Sequence, residues 1–236
     1  MLLPKPTDAI HKAWMYRLLS AIADDNFLIE KLRFKGGTCA AMRGLIERFS
    51  VDLDFDLLET KELDEIRSHL EKIFNKLDLI IDDQSTKVPQ YFLKYKNKPG
   101  QRNTIELDIT FPPPQNNEYE PVRFPEIDRI IHCQTIGTMF SNKLVSVIDR
   151  FKKHGSIAGR DIFDIHSFFI NGYEYRAEII KERTGKDAKI FMKELKRFIE
   201  KHFTQTIIDQ DLNSLLSPEK FKHLRKILNQ EVLLFF

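Results

Sequence analysis

The chain has little cysteine: Cys39 and Cys133 are the only two in 236 residues, and neither has neighbours at metal-ligand spacing. Neither a disulfide framework nor a zinc site is supported, and a reducing, cytoplasmic setting is expected. No run approaches the ~20 apolar residues that a membrane span needs. The opening Met1-Leu2-Leu3-Pro4-Lys5-Pro6 lacks an apolar h-region, so neither secretion nor insertion is expected. An excess of one charge is also missing. Lys and Arg number 37 against 35 Asp and Glu, a net +2, which gives no global attraction to nucleic acid. Any polyanion site must therefore be local. No repeat, low-complexity tract or long Pro/Gly/Ser linker is present, so the parts of the chain should pack tightly.

What is present is ample core material, 42% apolar residues with nineteen Phe, enough for one large domain or two modest ones. Ile10, Trp14, Leu18, Leu19 and Ile22 recur at helical spacing over 8–24, and 27–34 read as a strand-like approach to a glycine pair. A short helix over 38–48, a strand over 51–57 and a helix over 63–77 follow. Residues 91–95 and 104–109 read as strands joined by a turn through Asn97-Lys98-Pro99-Gly100, with Phe111-Pro112-Pro113-Pro114 ending the second. Beyond about residue 135 helices are expected over 138–153, 160–170, 174–184, 187–203 and 217–229, with a break at Gly172. The expected class is α+β: a mixed α/β core over 1–135 and a helical region over 136–236 packed on it.

The most informative segment is Lys35-Gly36-Gly37-Thr38 followed by Ser50-Val51-Asp52-Leu53-Asp54-Phe55-Asp56. A glycine pair opening a helix, with Thr38 as an N-cap, can seat phosphate on backbone N–H groups, or can simply make a tight turn. No Gly-Lys-Ser/Thr follows, so it is not a P-loop. Acids at every second strand position put Asp52, Asp54 and Asp56 on one face, with Leu53 and Phe55 buried on the other. Their repulsion is relieved either by water at a surface or by a divalent cation in a cleft. Asp108 alternates with Leu107 and Ile109 on a separate strand. Were the two strands neighbours, it would face Asp52 and Asp54. Lys143, Arg150, Lys152, Lys153 and Arg160 face one acid, Asp149, and form either a local polyanion site or a solvated helix face. Gly44 inside the predicted helix marks a turn that breaks it early.

Lys35-Gly36-Gly37-Thr38, Arg48-Phe49-Ser50-Val51-Asp52-Leu53-Asp54-Phe55-Asp56 and Arg160-Asp161-Ile162-Phe163-Asp164 together resemble the AbiEii/AbiGii-type nucleotidyltransferase toxins of the DNA polymerase β-like superfamily. The resemblance covers most of 25–170, and 171–236 match only as a generic helical tail. It implies a polymerase β-like nucleotidyltransferase core in which Lys35, Gly36, Gly37 and Thr38 hold the triphosphate of an NTP. It also implies that Asp52 and Asp54, with Asp108 as a third carboxylate, hold two Mg²⁺ or Mn²⁺ ions. Asp56 lies outside that pair. Lys143 would neutralise phosphate charge, with Asp161 pairing with or orienting it and Asp164 beside them. The implied activity is transfer of a nucleoside monophosphate to an acceptor hydroxyl, the 3′ end of tRNA being the acceptor for some members. The setting is toxin–antitoxin or phage defence, with a genetically paired antitoxin whose direct contact is not assumed. The alternatives are a small-molecule or protein hydroxyl as acceptor, or a non-catalytic nucleotide-binding module. Tyr91, Phe92, Tyr95 and Phe140 are candidate base-stacking groups or plain core.

Overall fold

The computed structural model describes residues 1, 3–59 and 61–236; Leu2, within the amino-terminal stretch read above, lies outside them. Two helices lead the chain, α1 (Asp8–Ala23) and α2 (Asn26–Lys31). The Asp25 carboxylate accepts from the N–H groups of Phe27 and Leu28, both at 3.0 Å. That cap draws 26–31 into a helix, so the strand-like reading of 27–34 shrinks to β1 (Leu32–Lys35). Helix α3 (Gly36–Met42) follows at once, with Lys35 and not Thr38 at its N-cap. Gly44, at φ +74°, ends it: Leu45 N–H reaches Ala40 C=O and Gly44 N–H reaches Ala41 C=O, the two bonds of a Schellman motif.

The alternating acidic segment forms β2 (Leu53–Leu57), with Asp52 just ahead of it. After it come α4 (Leu63–Lys76), β3 (Ile80–Gln84), β4 (Gln90–Lys94) and β5 (Thr104–Thr110). Two strands that periodicity had not marked, β6 (Tyr119–Phe124) and β7 (Arg129–Gln134), complete a mixed seven-stranded sheet of order β3-β4-β5-β2-β1-β7-β6. β2 runs antiparallel to β1 and parallel to β5. Parallel neighbours need a crossover, and the chain between β2 and β5 supplies it through α4 and the β3–β4 hairpin.

The remainder is helical, as expected: α5 (Ile136–His154), α6 (Gly159–Ile170), α7 (Ala177–Thr184), α8 (Ala188–His202), α9 (Gln205–Leu212) and α10 (Pro218–Leu233). Gly172, at φ +70°, separates α6 from α7. Helix α9, only eight residues long, had no sequence signal strong enough to mark it. Buried apolar side chains from Met15 to Val232 form one continuous cluster across sheet and helices. Tyr91, Tyr95 and Phe140 belong to it, and Phe74 packs edge-on against Tyr91 at 5.0 Å. None of these aromatics lines the large cavity between the sheet and α5–α6, nor does the half-buried Phe92, so the core reading holds for Tyr91, Tyr95 and Phe140.

Candidate active site

Register places the acids. On β2 and β5, Leu53 pairs with Leu107 and Asp54 with Asp108, so the apolar residues share the core face and the two carboxylates stand side by side on the other. They open onto a cavity of about 630 Å³. Every predicted site residue except Thr38 lines it: Lys35, Gly36, Gly37, Asp52, Asp54, Asp108, Lys143, Asp161 and Asp164. Thr38 is fully buried, and its hydroxyl donates to the Asp52 carbonyl oxygen. It ties the glycine turn to the acidic strand instead of presenting itself to a ligand.

The glycines are required by what lies over them. A Cβ at Gly36, which sits at φ +77°, would overlap the Asp54 carboxylate. A Cβ at Gly37 would stand 2.5 Å from Arg48 Nη2 and 2.9 Å from Ser50 Oγ. Gly36→Ala should therefore displace Asp54 and lower transfer about 10²-fold, the cost of a misplacement near 1 Å. Steady-state turnover beside a thermal melt checks this, and a folded variant with full turnover would overturn it.

Asp54 is a half-buried acid. Burial, and then the Asp52 and Asp108 charges, push its carboxyl up to about 7 against the pull of Lys35 and Lys143. Burial also raises Asp52, with Arg160, Arg102 and Arg48 opposing. Asp56 differs. Almost fully buried, it pairs with Lys35 Nζ at 2.7 Å and accepts from Gln134 Nε2 (2.6 Å), Tyr119 (2.9 Å) and Asn117 Nδ2 (3.1 Å). Its charge is satisfied by the protein, whereas no hydrogen bond relieves Asp54 among the described residues.

Across the cavity, α5 and α6 present an ion cluster. Lys143 Nζ lies 2.9 Å from Asp161 and 3.2 Å from Asp164. Asp161 also holds Arg150 Nε at 3.0 Å, and Asp164 takes Arg48 Nε and Nη2 at 2.6 and 2.7 Å. Burial would raise Asp161, but Lys143 and Arg150 hold it down at about 2. Burial would likewise lower Lys143, but the two carboxylates outweigh it and keep the ammonium charged. Three cations against two carboxylates leave one positive charge beside the acids. The pairing of Asp161 with Lys143 matches the expectation, while Arg48 had no assigned role. Its sequence signal was its place at the head of the Arg48-Phe49-Ser50-Val51-Asp52 run, just ahead of the acids. The basic stretch divides: Lys143, Arg150 and Arg160 reach the cavity, Asp149 pairs with Arg183, and Lys152 and Lys153 face solvent.

Among the described residues, no three His, Cys, Asp or Glu side chains converge closely enough to hold a metal ion. The expected three-carboxylate cluster is therefore present as a shared wall and not as a closed coordination shell. Its chemistry still fits a hard divalent cation: hard oxygen donors, with a half-buried carboxyl at Asp54 whose raised affinity for a proton reflects burial and then the Asp52 and Asp108 charges beside it.

The sequence model of the nucleotidyl transferase AbiEii toxin, of a type IV toxin–antitoxin system, matches residues 17–232. The chain belongs to the AbiEii family. As an AbiEii member it is a nucleotidyltransferase with an NTP as substrate, and the family sets it in a toxin–antitoxin system with an antitoxin as partner. No curated protein matches the chain. Among solved structures, this AbiEii chain is similar in fold to JHP933 from Helicobacter pylori (20% identity, 99% of this chain and 94% of that one, TM-score 0.60). It is also similar to the nucleotidyltransferase toxin MenT4 from Mycobacterium tuberculosis (13%, 96% and 84%, TM-score 0.51). A third is the antibiotic-resistance factor ANT(2'')-Ia (14%, 83% and 100%, TM-score 0.50). Among the described residues of the AbiEii chain, no helix is long and apolar enough to cross a membrane.

Proposed function

We propose that the chain moves a nucleoside monophosphate from an NTP to the 3′ hydroxyl of tRNA, with Asp52, Asp54 and Asp108 holding two Mg²⁺ or Mn²⁺ ions. The observation that carries this reading is the in-register pairing of Asp54 with Asp108 on the wall of a cavity that also holds Gly36, Gly37 and Lys143. When bound, such ions lower the pKa of an attacking hydroxyl and balance the charge of the leaving group.

In the transfer, the acceptor oxygen bonds to the α-phosphorus, the bond from that phosphorus to the bridging oxygen breaks, and pyrophosphate leaves with the electron pair. The hydroxyl proton is released to solvent. Gly36 and Gly37 line the cavity at the first turn of α3, where backbone N–H groups can receive phosphate oxygens. Lys143, oriented by Asp161 and Asp164, supplies a fixed positive charge to the phosphates. Arg150 and Arg160 at the rim favour a polyanionic acceptor over a polycationic drug. The paired antitoxin holds this tRNA modification in check, phage defence is its setting, and the cytoplasm is its compartment.

The test is incubation of the purified protein with Mg²⁺, each α-labelled NTP in turn and total tRNA, beside an Asp54→Ala control. Label should enter RNA only with the intact protein. Binding of Mg·NTP with no label in any RNA would overturn the tRNA reading.

A further inference from the structure

A second cavity, of about 480 Å³, adjoins the first, and the two share Val51, Arg150, Arg160 and Leu215 as a common wall. Arg102, from the β4–β5 turn, and His154, at the end of α5, line its far side. Three guanidinium groups from three parts of the chain thus converge on one groove, Arg150 with its Nε on Asp161 at 3.0 Å. The one carboxylate among them, Asp211, is already engaged, accepting from Gly159 N–H at 2.6 Å. Arg160 Nη1 stands 3.8 Å from Asp52, which puts the groove's inner end beside the carboxylates. No Phe, Tyr or Trp lines it among the described residues.

From this we infer that the groove is the track for the acceptor RNA strand. It holds the phosphates just inside the 3′ terminus on Arg102, Arg150 and Arg160 and leaves the terminal hydroxyl at the acids. This assignment rests on the proposed transfer to RNA. Arginine forks match phosphate oxygens, and a groove without aromatic platforms reads the backbone and not the bases. Recognition is therefore tolerant of sequence, and specificity comes from the free 3′ end fitting a groove that leads to the carboxylates. A groove lined by three guanidinium groups takes no polycation.

The test is Arg102→Glu and, separately, His154→Gln, both at exposed positions, with fluorescein-labelled total tRNA as the binding probe and an NTP analogue as the control ligand. Arg102→Glu should weaken tRNA binding about tenfold at low salt. It should also flatten the dependence of log affinity on log salt by about one unit, as expected for a lost phosphate contact, while NTP binding is unchanged. His154→Gln should weaken tRNA binding by a smaller factor. If the unaltered protein binds tRNA and Arg102→Glu leaves affinity and salt slope intact, the groove assignment falls and the acceptor reading stands. If the unaltered protein binds no tRNA at any salt, both fall.

Discussion

Asp54→Asn should abolish nucleotide transfer and, in metal-free protein, raise the melting temperature. Loss of the central carboxylate removes charge stabilisation of the transferring phosphate, an effect of on the order of 10³-fold or more. The stability gain follows from linkage. The folded protein holds the Asp54 carboxyl up to about 7, so it binds that proton more tightly than the unfolded chain does. The cost of ionising Asp54 is absent below the ordinary carboxylate range, grows as pH rises, and is complete above about pH 7. Asn never bears it. Because the carboxylate is only part-buried, solvent reduces the cost to on the order of 1–2 kcal/mol, about 2–8 °C for a domain of this size. Calorimetry in chelator from pH 5 to pH 8 should show the gain widening with pH. A variant that turns over normally, or melts no higher than the parent at pH 8, would remove Asp54 from this role.

The coexistence of a gain in stability with a loss of function explains why the acids were the most legible part of the sequence. A segment that spends three of its seven positions from Ser50 to Asp56 on carboxylates gives up burial for chemistry. Strand periodicity alone placed Asp54 and Asp108 opposite their apolar neighbours, because side-chain direction alternates locally. That the two strands are neighbours is a matter of topology and could be stated only as a condition. Asp25 and Thr38 show the limit within a few residues: whether a polar side chain caps one turn or the next is decided by bonds of about one kcal/mol. β6, an edge strand containing Pro121 and Glu120, lacks the apolar alternation that buried strands need. Its partner β7 carries such alternation on few positions. Arg48 was the least legible, since its burial depends on Asp164, 116 residues further along.

Arg48→Met should be the most destabilising single change in the site, whereas Lys143→Gln should chiefly cost turnover. Arg48 is 3% exposed. It spends Nε and Nη2 on the two Asp164 oxygens and Nη1 on the Phe49 carbonyl at 2.9 Å. Met fills much of its volume but leaves Asp164 with Lys143 alone, at 3.2 Å. Removing one partner of a buried pair costs about 3–5 kcal/mol, a fall near 10 °C. It also withdraws the group that packs over Gly37. Lys143 stands in the same cluster with the opposite balance. Without it, Asp161 keeps Arg150 and Asp164 keeps Arg48, so no buried carboxylate is stranded and the stability loss stays near 1–2 kcal/mol. What disappears is the surplus positive charge facing the phosphates, about 10²-fold in turnover. Urea unfolding and label transfer on both variants separate the two roles. Arg48→Met/Asp164→Leu should recover much of the lost stability, because a buried pair replaced by apolar side chains carries no unpaired charge. If Lys143→Gln unfolds as easily as Arg48→Met yet transfers at full rate, the lysine is structural and the phosphate charge must come from the arginines.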